Sequence, residues 1–326
     1  MSILNNWLVK PHQTETKFLE WGQEYPHLVE LDSICQYVGL NAYSITLTDK
    51  SISLDQKEKL IFAVPHAHEP AGTAACMNYI NQILTGKHLD QTESEIYNRE
   101  EILQKCVLTF LSDPNPDGRS RSPVDYWDGT KYTNEEFWTF MRGRDPETKK
   151  MWKRMDRWSI QNENPETIGI VYEQVSSHEY VEPNRDFGSA YFRLIKRAGE
   201  KYGYGRWLDL HQTEFEKSKY NAMIILPIIQ NELPEHIKQA NVEWADAIVD
   251  SWKKCGAQPM PESKPLGYTG QQAEYFKRTW REFMPIIPKI TTEIQNNNLR
   301  TPPEMQEKLE EEAIKVSVDL LIRSKA

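Results

Sequence analysis

Between residues 59 and 84 the chain passes from an apolar run of strand length, Lys59-Leu60-Ile61-Phe62-Ala63-Val64, into a segment whose apolar positions recur at helical spacing. The seven residues between them are His66-Ala67-His68-Glu69-Pro70-Ala71-Gly72. A histidine and a carboxylate three residues apart, where a buried strand gives way to a helix, can turn toward one point in a cleft at the carboxyl edge of a sheet. Joined by a distant second imidazole, they form the His/Glu/His ligand set of a catalytic zinc whose fourth position stays open for water. Two ordinary strand-end histidines and a first-turn acid favoured by the helix dipole would give the same letters.

The rest of the chain alternates in the same manner. Strand patterns fall at 29–32, 42–47, 106–111, 169–173, 207–211, 222–227 and 286–294, and helical patterns at 17–25, 187–200 and 242–253. A last helix opens at Thr301-Pro302-Pro303-Glu304, which has the letters of a capping box with proline at the first helical position. There is no internal repeat and no low-complexity linker. The expected fold is one α/β domain over 1–326, with a central mixed, twisted sheet flanked by helices on both faces. Residues 1–30 form a lead-in, and the charged, tryptophan-rich stretch 119–166 an insertion over the active-site edge.

Charge and cysteine usage exclude several functions. A formal charge of -9 argues against nucleic acid or an anionic membrane as partner, since both need a basic face. The N-terminal residues lack the charged and apolar regions of a signal peptide, and no stretch approaches a membrane span, so the expected location is cytoplasmic. Cys35, Cys76, Cys106 and Cys255 are scattered without a CxxC, which suggests neither a structural zinc knot nor a disulfide framework.

His211 is the third candidate ligand, because Asp209-Leu210-His211-Gln212 again ends an apolar strand on a histidine. His12, His27, His88, His178 and His236 stand in polar, loop-like surroundings that suit solvated side chains. A rival arrangement takes His66 and His68 as the HxH pair of a barrel amidohydrolase. That needs a bridging lysine and two further strand-end histidines, and only His211 qualifies.

Five segments in order resemble the zinc metallocarboxypeptidases. His66-Ala67-His68-Glu69 resembles the HxxE of that family, and Asn115-Pro116-Asp117-Gly118 matches its NPDG turn. Glu182-Pro183-Asn184-Arg185-Asp186-Phe187 is similar to its DxNRNF segment. Leu208-Asp209-Leu210-His211 is similar to the strand of the third ligand, and Ile290-Thr291-Thr292-Glu293-Ile294 to the strand of the catalytic glutamate. The final proline-led helix also sits where the family places its last one.

The resemblance implies one zinc per chain held by His66, Glu69 and His211, with His68 a passenger and Glu293 the general base. It implies that Asn184 and Arg185 grip a substrate carboxylate, a task suited to a guanidinium fork, and that Glu182 orients His66 in place of a family aspartate. Arg154, rather than Arg157, is expected to stabilise the oxyanion. Tyr268, with Tyr275 as the alternative, would cover the substrate, and Arg278 would line the side-chain pocket and favour an acidic residue. The expected activity is hydrolysis of an amide in a small peptide or modified amino acid that carries a carboxylate. An N-acyl amino acid deacylase or desuccinylase of the same superfamily is the enzymatic alternative. A silent carboxylate-binding protein, or a scaffold built on the tryptophans at 127–158, are the alternatives of other kinds.

Overall fold

The computed structural model describes residues 6–282 and 286–323. The first five residues, part of the stretch read for targeting signals and of the lead-in, lie outside them. In chain order the strands are β1 (Val29–Cys35), β2 (Asn41–Leu47), β3 (Glu58–Ala63), β4 (Cys106–Leu111), β5 (Trp158–Ser159), β6 (Glu173–Gln174), β7 (Glu179–Val181), β8 (Arg206–Thr213), β9 (Ala222–Ile225) and β10 (Lys289–Gln295). The helices are α1 (Pro11–Glu24), α2 (Pro70–Thr85), α3 (Arg99–Lys105), α4 (Pro116–Ser120), α5 (Asn134–Arg142), α6 (Ala190–Tyr202), α7 (Glu235–Lys254), α8 (Gly270–Glu282) and α9 (Pro303–Arg323).

Seven strands form one mixed sheet in the order β1-β2-β4-β3-β8-β10-β9. Its centre, β4-β3-β8-β10, is parallel, and β1, β2 and β9 pair antiparallel outside it. Parallel strands are covered on both faces, which explains why all six residues of β4 are buried. Side chains alternate between two cores accordingly. Leu60, Phe62, Leu108, Phe110, Leu208 and Leu210 face the layer of α2, α7 and α9, whereas Ile61, Ala63, Val107 and Trp207 face α6. Each large apolar side chain so buried contributes roughly 1.5–3 kcal/mol. This is the single α/β domain with helices on both faces that the sequence pattern predicts.

Two local expectations are corrected. Residues 169–172 are a turn, with Glu173–Gln174 the only strand there. The amides of Ile170 and Val171 bond the carbonyls of Phe140 and Met141 at the end of α5, so the apolar run closes a helix instead of joining the sheet. The Thr301 hydroxyl bonds Gln295 Oε1 at 2.7 Å, and α9 begins at Pro303, after Pro302. Helices α3, α5 and α8 were not legible as helices, being short or mostly polar. No described helix is long and apolar enough to cross a membrane.

Candidate metal and catalytic site

Three neighbouring parallel strands deliver the candidate residues to one edge of the sheet. In β3 and β8, Ala63 pairs with Asp209, and three residues past Ala63 comes His66 while two past Asp209 comes His211. In β8 and β10, His211 pairs directly with Glu293. The His66 carbonyl accepts from the Glu69 amide at 3.0 Å, a turn that places Glu69 just before α2 with Pro70 at its first position. Gly72 lets the helix start lie against the sheet, because a Cβ there would stand 2.9 Å from the Leu210 Cβ and 3.0 Å from Val64 Cγ2.

His66, Glu69 and His211 are buried, and their ligand atoms lie within 4.8 Å of one another. His66 Nδ1 is 2.9 Å from Glu69 Oε1, and His211 Nδ1 is 3.1 Å from Glu69 Oε2. Yet Oε2 has no hydrogen-bond partner among the described residues, so the close approach lacks hydrogen-bond geometry. Two donors aimed at a common third atom approach one another in this way. The set of two imidazole nitrogens and one carboxylate therefore fits zinc. The HxH arrangement does not form: His68 stacks on His66 with ring centroids 5.1 Å apart and lies on an open sheet, not a barrel. Burial pushes the His68 ring down to about 4 and keeps it neutral.

Glu182 is the hub behind the site. His66 Nε2 lies 3.0 Å from its Oε1, and Oε2 accepts from Arg154 Nε at 2.6 Å and Arg185 Nε at 2.9 Å, while a second Arg154 nitrogen binds Oε1. A proton on His66 Nε2 donated to Glu182 leaves Nδ1 the nitrogen for a metal. Burial opposes charge on both groups, but Glu69 and Glu182 outweigh it and push His66 up to about 9. Arg154 and Arg185 likewise outweigh burial and hold Glu182 well below the carboxylate range.

These groups share a cavity of about 320 Å³ whose walls include His66, Glu69, His211, Glu293, Arg154, Asn184, Arg185 and Tyr268. Glu293 Oε2 and Asn184 Oδ1 find no partner among the described residues. Burial, and then the charge of Glu69, raises Glu293 well above the usual carboxylate range. The Tyr268 ring lies tilted against that of Phe276, centroids 5.1 Å apart, whereas Tyr275 donates its hydroxyl to the Asn184 carbonyl at 3.3 Å and is not part of the wall. Arg157 pairs with Asp186 at 3.1 Å on the surface.

Arg278 is a correction. It sits exposed on α8 over the Tyr275 ring, 5.8 Å from its centroid, and does not line the cavity. Sequence reasoning missed Asp209 and Lys289, which do line it. The signal was available: two residues before His211 and four before Glu293, each lies on the same face of its strand as the site. The stretch 119–166 supplies Phe137, Trp138, Met141 and Arg154 to the wall. Trp127, Trp152 and Trp158 are buried among other aromatics, as packing side chains are.

The α/β sheet and the His/Glu/His cluster at its carboxyl edge define a metallohydrolase of carboxypeptidase-like architecture. A sequence model of the zinc carboxypeptidases matches residues 16–201, more than half the chain, and the chain belongs to that family. No curated protein matches it. The fold is similar to that of carboxypeptidase A from Helicoverpa armigera, with 13% identity, 98% of this chain and 75% of that one covered, and a TM-score of 0.59. It is also similar to thrombin activatable fibrinolysis inhibitor, with 12% identity, coverage of 99% and 76%, and a TM-score of 0.60. A third likeness is to a metallo-carboxypeptidase from Pseudomonas aeruginosa solved with (2-guanidinoethylmercapto)succinic acid, with 10% identity, coverage of 94% and 68%, and a TM-score of 0.57.

Proposed function

We propose that this chain is a zinc-dependent carboxypeptidase that removes the C-terminal residue of a small peptide or a modified amino acid, with one zinc per chain. The observation that carries the reading is the meeting of the His66/Glu69/His211 cluster, the Glu293 carboxylate, whose Oε2 has no hydrogen-bond partner among the described residues, and the Asn184-Arg185 pair in one cavity. Bound by the cluster, zinc supplies Lewis acidity, which polarises a carbonyl and lowers the pKa of water toward about 7.

The chain's own residues do the rest. Arg185 and Asn184 bind the substrate carboxylate, with the Asn184 amide presented to the cavity and the Arg185 guanidinium held by Glu182 and by the Phe276 ring 4.9 Å away. Glu293 accepts a proton from the attacking water as its oxygen bonds to the carbonyl carbon. As the C–N bond breaks, Glu293 passes that proton to the departing nitrogen, so water is added across the amide. Arg154, fixed in place by Glu182, donates to the developing oxyanion. Tyr268 closes over the leaving residue.

The test is hydrolysis of a panel of C-terminally free peptides, their C-terminal amides and N-acyl amino acids, by wild type and by Glu293→Gln. Cleavage of free peptides but not amides, lost in Glu293→Gln, supports the carboxypeptidase. Cleavage of N-acyl amino acids alone would make it a deacylase. Binding of these compounds without any turnover by the zinc-loaded protein would make it a carboxylate-binding protein.

A further inference from the structure

Two helices bound the cavity on opposite sides of the metal edge. Helix α8 stands behind it: its Phe276 ring lies 4.9 Å from the Arg185 guanidinium, its Tyr275 donates to the Asn184 carbonyl, and its Trp280 reaches Lys289, four residues before Glu293 on β10. Helix α5 stands beyond it. Asn297, four residues past Glu293, donates from Nδ2 to Oδ1 of Asn134, the first residue of α5, at 2.7 Å. The Asn297 amide also bonds the Trp127 carbonyl at 2.9 Å, and Gln306 Nε2 of α9 donates to the same carbonyl at 2.8 Å. The insertion is thereby fastened past the carboxyl end of β10. From α5, Phe137, Trp138 and, one turn on, Met141 line the cavity, and none of the charged side chains of that helix joins them. Phe137 packs on His68 with ring centroids 6.1 Å apart, and His68 stacks on His66. Phe137 and Met141 are buried, whereas Trp138 is partly exposed, held edge-on against Phe137 at 5.4 Å, and offers its remaining surface to whatever enters.

We propose that α5, chiefly through Trp138, binds the side chain on the acyl side of the scissile bond and selects peptides whose penultimate residue is large and apolar, aromatic above all. This rests on the carboxypeptidase reading above and names its substrate class. A peptide whose carboxylate is held by Asn184 and Arg185 on the α8 side, and whose scissile carbonyl lies at the metal edge, continues toward α5. One residue spans only ~3.3–3.6 Å when extended, so the penultimate side chain is the first to meet that wall. An aromatic ring there gains its buried area and an edge or face contact with the indole. A charged side chain would give up hydration to Phe137, Trp138 and Met141 without a compensating partner, since Arg154, the cation the insertion supplies to the cavity, is already paired with Glu182.

The experiment measures kcat/KM of the zinc-loaded protein for release of leucine from N-acetyl dipeptides with alanine, phenylalanine, lysine or glutamate ahead of it. Phenylalanine is expected to exceed the other three by about tenfold or more. In Trp138→Ala the phenylalanine-to-alanine ratio should fall at least about fivefold, and Trp138→Phe should keep most of it. The choice of leaving residue, read as leucine against alanine behind a constant phenylalanine, should stay within about twofold in Trp138→Ala, which a general weakening of the site would not ensure. A wild type that prefers alanine, lysine or glutamate or shows no preference, or a Trp138→Ala protein with its ratio intact, would overturn the proposal. Should Trp138→Ala not fold, Trp138→Leu, which keeps apolar bulk without the ring, reads the same ratio. If the wild type releases leucine from none of the peptides, the carboxypeptidase reading fails. Calorimetric affinity of the same peptides for the zinc-loaded wild type then reads the ranking, and equal affinity for the phenylalanine and alanine peptides would overturn the role of α5.

Discussion

Replacing Glu182 by glutamine should be among the most damaging single changes at the site that leave the metal ligands untouched. One fully buried carboxylate serves His66, Arg154 and Arg185 together. The amide keeps the shape and one acceptor but gives up the charge, and its NH₂ is turned toward a guanidinium. Each hydrogen bond to a charged group is worth roughly 1.5–3 kcal/mol, and stripping one partner from a buried ion pair costs about 3–5 kcal/mol. Since one oxygen survives, the expected loss is about 3–5 kcal/mol in all, read by urea unfolding with a chelator present. With its orienting acceptor weakened, His66 should bind metal about 10–100-fold less tightly, read by competition against a chromophoric chelator. Glu182→Asp, whose carboxylate is withdrawn by one methylene, should fall between the two. Because Glu182 is held well below its ordinary value of 4.5, its contribution is complete above that value and is lost only as pH falls through the depressed folded value. Glu182 also helps raise His66 to about 9, a contribution complete below 6.5 and lost as pH rises through 9, so the stability gap should be somewhat smaller at pH 8 than at pH 6. A Glu182→Gln protein within 1 kcal/mol of wild type, with unaltered zinc affinity, would refute the reasoning.

Other predictions rest on separate features. Burial, then the charges of Glu311 and Glu304, raises Glu307 to about 8, so its stability contribution is present below 4.5 and lost as pH rises through 8. Glu307→Gln should therefore be about 1–2 kcal/mol more stable than wild type at pH 9, with no such gain at pH 4.5, by urea unfolding. Gly72→Ala gains up to about 1 kcal/mol of helix propensity but must push α2 off Leu210 and Val64, for a net loss of about 1–2 kcal/mol and weaker zinc binding. Arg154→Ala should lower kcat/KM about 10²–10³-fold, while Arg157→Ala and Arg278→Ala, both at the surface, should leave it within about threefold; an equal loss from Arg157 would show that the oxyanion donor was misassigned.

The parts of the molecule that were legible in advance are those written in local periodicity. Strands β3 and β4 are apolar runs that end in turn formers, β3 leading into the passage at His66–Gly72, and a register of parallel strands does the rest, carrying His211 and Glu293 to the same edge. The pocket was not legible in the same way. The resemblance implies Arg278 in the side-chain pocket, but α8 turns that residue to solvent, while Lys289, on the strand of Glu293 itself, lines the cavity. Residues 169–172 have strand composition, yet the amides of Ile170 and Val171 are taken by the end of α5, a partner invisible to a local window. Asn115 shows a turn motif with a tertiary purpose: its side chain caps the Gly118 amide and donates to the carbonyls of Val171 and Tyr172, while a Cβ on Gly118 would stand 2.1 Å from the Ile170 carbonyl oxygen.

The account stands on the His66/Glu69/His211 cluster being a zinc site, and metal content tests that most directly. Elemental analysis of the purified protein should give about one zinc per chain for wild type, and near none for a His66→Ala/His211→Ala double variant whose circular dichroism is unchanged. A wild type that holds no zinc and cannot be loaded with it, or a double variant that retains the metal in full, would contradict it.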